Sequence, residues 1–277
     1  MKTILVPVDF SEHSEYALEV AASIAKKQDA EIIVVHMMGL NESYLTKDEQ
    51  QEVFNAIYFM KLTKQRFDKF LDKDYLKGID VSQAVKSHKV FNEINEVAQE
   101  YEADLIVMGS HGSAGVKEVF VGSNTEKVVR TSNIPVLVIK QKITDFKIEK
   151  AVFVTDFALD TLTSFMRARN FFKVFNVTPK ILFINIPEKF MSTKEMELKA
   201  YNFLVDVGMD NKKFQDDVIF YDDYTAEKGI YNYCNEHDID AIGIPTHGRK
   251  GLGHFFYGSI GEDVANHADI PVVTFKI

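Results

Sequence analysis

Short runs of consecutive apolar residues alternate along this chain with longer stretches in which apolar positions recur every three or four residues. AEIIVVHM (30–37), DLIVMG (104–109) and NIPVLVIK (133–140) are rich in Val, Ile and Leu, the pattern of strands buried on both faces of a parallel sheet. Ahead of the first of these runs, Ala17, Val20, Ala21, Ile24 and Ala25 fall on one helical face behind Ser11, a suitable N-cap. A second stripe, Val53, Ile57, Met60, Phe67 and Leu71, follows Thr46 and Glu49 at capping-box spacing. Phe91, Ile94, Val97, Ala98 and Tyr101 form a third, just ahead of the strand that ends at Met108. All three stripes predict helices whose apolar side chains lie in the core.

The whole pattern then repeats. KTILVPVDFSE (2–12) is matched by KAVFVTDFALD (150–160), AEIIVVHM by TPKILFINI (178–186), DLIVMGSHG (104–112) by DAIGIPTHG (240–248), and NIPVLVIK by DIPVVTFK (269–276). The offset is 147 between Asp9 and Asp156 but 136 between Gly112 and Gly248, so the first copy carries 11 extra residues in its middle. Residues 194–207 and 226–237 are the helical stretches of the second copy. Strand–helix–strand order in both copies predicts an α/β protein of two repeated domains, 1–141 and 148–277, with parallel sheets and right-handed crossovers.

The formal charge of −9 argues against broad nucleic-acid or anionic-membrane binding, so any phosphate site must be local. MKTILVPVDF has neither the charge pattern of a signal peptide nor the length of a membrane span, which makes a cytoplasmic location the expectation. Cys234, the single cysteine, excludes an internal disulfide and reads as a buried thiol.

The chemistry concentrates in MGSHGSAGVKEVFVGS (108–123). A strand that runs into Gly109 delivers the following backbone to the carboxyl edge of a parallel sheet, where open α/β folds bind ligands. Gly112 and the pair Gly122-Ser123 follow, and a helix opens behind them, so its free N–H groups and positive dipole end face the same edge. Such a helix start takes an anion without a lysine. Single glycines make tight turns as readily; the set of three, strand before and helix after, points to phosphate. Ser123 and Thr125 either donate to phosphates or cap the helix, and His111 is a loop histidine with no evident partner in sequence. Asp9 closes the first strand at the same edge, where a carboxylate suits ribose hydroxyls, a divalent cation, or a helix N-cap.

Gly109-x2-Gly112-x9-Gly122-Ser123, with VPVDFSEHS at the start and IPVLVIK at the end, resembles the universal stress protein family, and the whole chain resembles a tandem member. The resemblance implies two open five-stranded parallel sheets of strand order 3-2-1-4-5, flanked by helices, of the Rossmann-like adenine-nucleotide-binding type. It implies ATP as ligand, with Mg2+ as an optional companion; the sequence carries no GxxxxGK[ST] P-loop, SGGxDS loop or HxGH motif, so strong catalytic activity is not expected. Asp9 would contact the ribose, with Pro7, Val8 and Met108 beside it; Val35 and His36 would border the adenine. Gly109, Gly112, Gly122, Ser123 and Asn124 would cradle the phosphates. It also implies that the terminal strands, 136–139 and 272–275, pair in an internal pseudo-dimer, with a homodimer and an unidentified protein partner as further expectations. In the second domain Asp156, Gly248, Gly258 and Ser259 match, but Pro245 replaces the first glycine and removes an N–H, leaving a weaker site. Arg249 and Lys250 add charge beside it. A slow ATPase or self-phosphorylating protein, and a scaffold that binds no nucleotide, stand as alternatives. The aromatic-rich insert, 41–70, is expected to form one or two helices over the sheet edge.

Overall fold

The computed structural model describes residues 1–37, 49–86, 93–110, 123–209, 214–246 and 270–277. In the first half these form β1 (Thr3–Val8), α1 (Glu12–Gln28), β2 (Glu31–Met37), α2 (Glu49–Leu71), β3 (Val81–Lys86), α3 (Glu93–Glu100), β4 (Leu105–Gly109), α4 (Ser123–Thr131) and β5 (Val136–Ile139). The second half follows as β6 (Ala151–Val154), α5 (Leu162–Lys173), β7 (Lys180–Asn185), α6 (Thr193–Asp206), α7 (Phe214–Asp217), β8 (Val218–Asp222), α8 (Ala226–Glu236), β9 (Ala241–Thr246) and β10 (Val272–Lys276).

All of these strands belong to one sheet, ordered β3-β2-β1-β4-β5-β10-β9-β6-β7-β8. Each half therefore reads 3-2-1-4-5, and every pairing within a half is parallel. The expected meeting of terminal strands is present and antiparallel, with Val138 opposite Val272, Leu137 opposite Val273 and Val136 opposite Thr274. Continuous apolar runs are what this architecture requires: β1 and β5 are buried along their whole length, covered by helices on both faces.

Local signals fix the helices. Ser11 caps α1 by accepting from the Ser14 N–H, Glu12 and Glu15 lie in its first turn, and Lys26 and Lys27 in its last. Asp29, with φ 51°, closes it by donating its N–H to the Ala25 carbonyl. The first apolar stripe, Ala17 to Ala25, is buried throughout. The second is buried only toward its C-terminus: Phe67 and Phe70 are in the core, whereas Met60, expected there, is 60% exposed. The cause is length. At 23 residues α2 measures about 35 Å, longer than the roughly 24 Å of the seven-residue β2 that it covers, so part of its apolar stripe outruns the sheet. Val53 and Ile57 have side chains outside the described set, as do Thr46 and Phe91 entirely.

The two faces of the sheet are organised differently. On the α1, α2, α5 and α6 face one apolar cluster runs through both halves, from Ile4 and Leu18 to Phe172 and Phe275. On the opposite face the halves keep separate clusters, one around Ile94, Val97 and Val128, the other around Ile230, Cys234 and Ile244. The connection between halves takes part in the shared core: Phe146 and Ile148 are buried, and the Phe146 carbonyl accepts from Lys27 Nζ at 2.9 Å. Gln28 Nε2 reaches across to the Val174 carbonyl at 3.1 Å. Cys234 is buried, and burial pushes its thiol up to about 12. No helix among the described residues is long and apolar enough to cross a membrane.

Candidate functional site

The strand registers bring the first-half residues to one edge. Pro7 pairs with Val35 and Val8 with His36, while β1 lies beside β4 on its other side, through Ile4–Leu105 and Leu5–Ile106. Pro7, Val8, Asp9, Val35, His36, Met108 and Gly109 therefore share the carboxyl edge where β1 and β4 are neighbours and the chain leaves in opposite directions, the switch point of an open α/β sheet. Asp9 is held there by the first turn of α1. Its Oδ1 accepts from the Ser11 N–H at 3.0 Å and from the Ser14 hydroxyl, and its own N–H donates to Ser14 Oγ at 3.1 Å. The Asp9 carboxylate supports the entry to the helix, but Ser11 is the N-cap.

Thr125 settles its two alternatives in a third way. Its hydroxyl donates to the Gly109 carbonyl at 2.9 Å, fastening the start of α4 to the end of β4. Asn124 is half-buried beside it, and Ser123 opens the helix as expected. Gly112 and Gly122, with His111, and in the second half Gly248, Gly258 and Ser259, with Arg249 and Lys250, lie outside the described residues.

Gly109 has a reason that the sequence did not reveal. A Cβ on it would stand 2.6 Å from the His13 carbonyl oxygen, a backbone atom that cannot swing away. Glycine is required here because α1 packs its first turn against the end of β4. Gly109→Ala is expected to lower stability by about 1–3 kcal/mol, measured as the shift of the urea midpoint. An unchanged midpoint would mean that α1 moves away freely.

His36 sits in an aromatic cluster. Its ring centroid is 4.5 Å from that of Phe10 and 6.4 Å from that of Phe67. Nδ1–H donates to the Val8 carbonyl at 2.8 Å, which leaves Nε2 as the acceptor of the neutral ring. Burial is the main influence on its pKa and lowers it. As pH falls below the ordinary histidine value of about 6.5, the unfolded chain takes up this proton first, so stability drops until the folded-state pKa is reached. His36→Phe should flatten this part of the stability–pH curve, measured by urea unfolding between about pH 5 and pH 8. Equal slopes for the two proteins would refute the assignment.

The second half repeats the arrangement with changed chemistry. Asp156 follows β6 as Asp9 follows β1, and its Oδ1 accepts from the Ala158 N–H at 2.9 Å. Burial, its largest influence, pushes its carboxyl upward. Phe183 takes the place of His36 and stacks on Phe157 at 5.3 Å. Pro245, in the place of Gly109, pairs with Phe275 near the end of β9. Leu159, the counterpart of Glu12, lies in a short turn, and α5 begins only at Leu162. At this edge Val154, Ile184, Ile230 and Pro245 help line a cavity of about 140 Å³. Sequence reasoning overlooked Phe10 and Phe157, which follow the two aspartates with φ of 64° and 62°. Their signal was the repeat itself, since DF recurs at the same offset of 147.

The sequence matches the model of the universal stress protein family over residues 1–140 and again over 187–276. A universal stress protein of Methanocaldococcus jannaschii is 33% identical over 162 residues, which cover 51% of this chain and 96% of that protein. Universal stress protein YxiE of Bacillus subtilis is 30% identical over 145 residues, 50% of this chain and 97% of its own. A relative that is nearly spanned by half of this chain is what a tandem repeat would meet. Over the full length, the crystal structure of a universal stress protein from Archaeoglobus fulgidus superposes with a TM-score of 0.63 at 20% identity, covering 99% of this chain and 96% of that one, a likeness of fold. With the family pattern found twice and each half of the sheet ordered 3-2-1-4-5, the chain belongs to the universal stress protein family as a tandem, two-domain member.

Proposed function

We propose that this protein is a stress-response regulator that binds ATP at the carboxyl edge of its first domain and holds it without rapid turnover. In this reading the first domain spans 1–141 and the second 148–277. The observation that carries the reading is the Thr125–Gly109 bond, which fastens the N-terminus of the nine-residue α4 to the strand end beside Asp9, at the sheet's switch point.

The residues present fit an adenine nucleotide. The Asp9 carboxylate, oriented by Ser11 and Ser14, accepts from ribose hydroxyls; Pro7, Val8, Val35, His36 and Met108 border the base and sugar. Gly109, Gly112, Gly122, Ser123 and Asn124 supply the phosphate side, with Mg2+ on the phosphates when it is bound. The Thr125 hydroxyl is engaged with the Gly109 carbonyl, which counts against Thr125 as an acceptor in self-phosphorylation. The net charge of −9 suits a local phosphate site in a cytoplasmic protein, and the bound state is what a protein partner would read.

Calorimetric titration of ATP into the nucleotide-stripped protein tests this, beside Asp9→Ala with its fold checked by circular dichroism. Losing the charged hydrogen bond should weaken binding about ten- to a hundredfold. Turnover should stay below about 1 s⁻¹. Equal affinity in the two proteins, or no binding at millimolar ATP, would overturn the proposal.

A further inference from the structure

The cavity of about 140 Å³ lies in the second domain, at the carboxyl ends of β6, β7 and β9 and under the first turn of α8. Its walls are mainly aliphatic: Val154, Ile184, Ala226, Ile230, Ile244 and Pro245. Three features make it a different vessel from the corresponding place in the first domain. Pro245 brings a ring and no N–H where the first domain has Gly109, against which the His13 carbonyl packs. Phe183 replaces His36 and removes both imidazole nitrogens. The hydroxyl of Thr155, which also lines the space, is engaged with Thr161 Oγ1 at 2.9 Å and accepts from the Phe157 N–H at 3.0 Å.

One carboxylate, Asp156, remains in the wall. It accepts from the Ala158 N–H, but a carboxylate has acceptor capacity for several donors, and burial makes each further donor worth more. Lys189 and Lys199 stand exposed at the rim, and the charge of Lys199 favours the ionised form of Asp156. An apolar cavity of about this size in a protein core, about 150 Å³, stays dry and accepts benzene. The described part of this wall is mainly aliphatic carbon, against which a phosphate would lose its hydration.

We propose that the second-domain cavity binds a small neutral aromatic molecule without a phosphate group, its ring between Val154, Ile230, Ile244 and Pro245 and one hydrogen-bond donor on the Asp156 carboxylate. This site lies in the other domain from the proposed ATP site and takes another class of ligand, so the two stand or fall separately.

The test uses the full chain carrying Asp9→Ala, to silence the first domain, with 4-fluorophenol and 4-fluorotoluene as probes followed by fluorine NMR. 4-Fluorophenol should bind saturably below about 5 mM and more tightly than 4-fluorotoluene, by about tenfold, the worth of one charged hydrogen bond. Ala226→Phe, which fills the cavity from the first turn of α8, should weaken both probes at least about tenfold. Asp156→Ala, which leaves the walls in place, should erase the preference for the phenol while the toluene still binds. The proposal is overturned if neither probe saturates, if Asp156→Ala keeps the preference, if Ala226→Phe folds and binds as before, or if ATP displaces 4-fluorophenol.

Discussion

Phe275→Ala should lower the stability of the whole protein by about 3–5 kcal/mol, the usual cost of emptying a buried phenylalanine site. Phe275 is 1% exposed in β10, the strand at the seam between the domains. Its ring lies 5.8 Å from that of Phe171, 6.4 Å from Phe153 and 6.5 Å from Phe172. Phe171 in turn meets Phe175, which meets Phe146 in the connection between the domains, and all but the half-buried Phe175 are counted among the buried residues of one cluster that reaches Ile4 and Leu18 of the first domain. A cavity here therefore loosens packing on both sides of the seam. Because that core is continuous, calorimetry and far-ultraviolet circular dichroism should report one unfolding transition in the native protein and a single shifted one in the variant. Two separated transitions, with only the second domain weakened, would show that the seam does not couple the domains.

Much of this fold was legible because its causes are local. Uninterrupted Val-Ile-Leu runs make strands covered on both faces, Ser11 and the stripe behind it make α1, and the repeat of DF, DLIVMG and IPVLV declares a second copy in the same order. The pairing of the terminal strands was anticipated from the resemblance; its antiparallel sense follows from placing two copies edge to edge about a pseudo-twofold axis. What stayed hidden depends on distance in space. Met60 fits a helical stripe, yet periodicity cannot tell how far a helix runs beyond the sheet that it covers. Gly109 reads as a ligand-facing glycine, and only the 2.6 Å approach of the His13 carbonyl shows that packing demands it. Pro245 reads as the loss of an N–H at a phosphate site, and only in three dimensions is it also one wall of an apolar cavity. Asp9 was placed correctly at the switch-point edge because a strand end is visible in sequence, but its partner Ser14 was not singled out.

Phe157→Ala is expected to cost about 3–5 kcal/mol, and Phe157→Gly less, by about 0.5–1 kcal/mol, a reversal of the usual order of these two residues. The reason is the backbone. Phe157 has φ of 62°, and Phe10, its counterpart, 64°, a left-handed conformation that disfavours any side chain with a Cβ. The aromatic ring compensates. Phe157 stacks on Phe183 at 5.3 Å and meets Phe203 edge-on at 5.6 Å, just as Phe10 meets His36 and Phe67. Alanine loses the ring and keeps the strain; glycine loses the ring and releases the strain. The conformation also turns the chain sharply after each aspartate, so that the Asp156 carboxylate can accept from the Ala158 N–H, and Asp9 from Ser11, at the edge where ligands are proposed to bind. Urea unfolding of the three proteins measures the order directly. Should the glycine variant prove the weaker, the left-handed turn is not a source of strain, and the aromatic clusters beneath both aspartates serve the core alone.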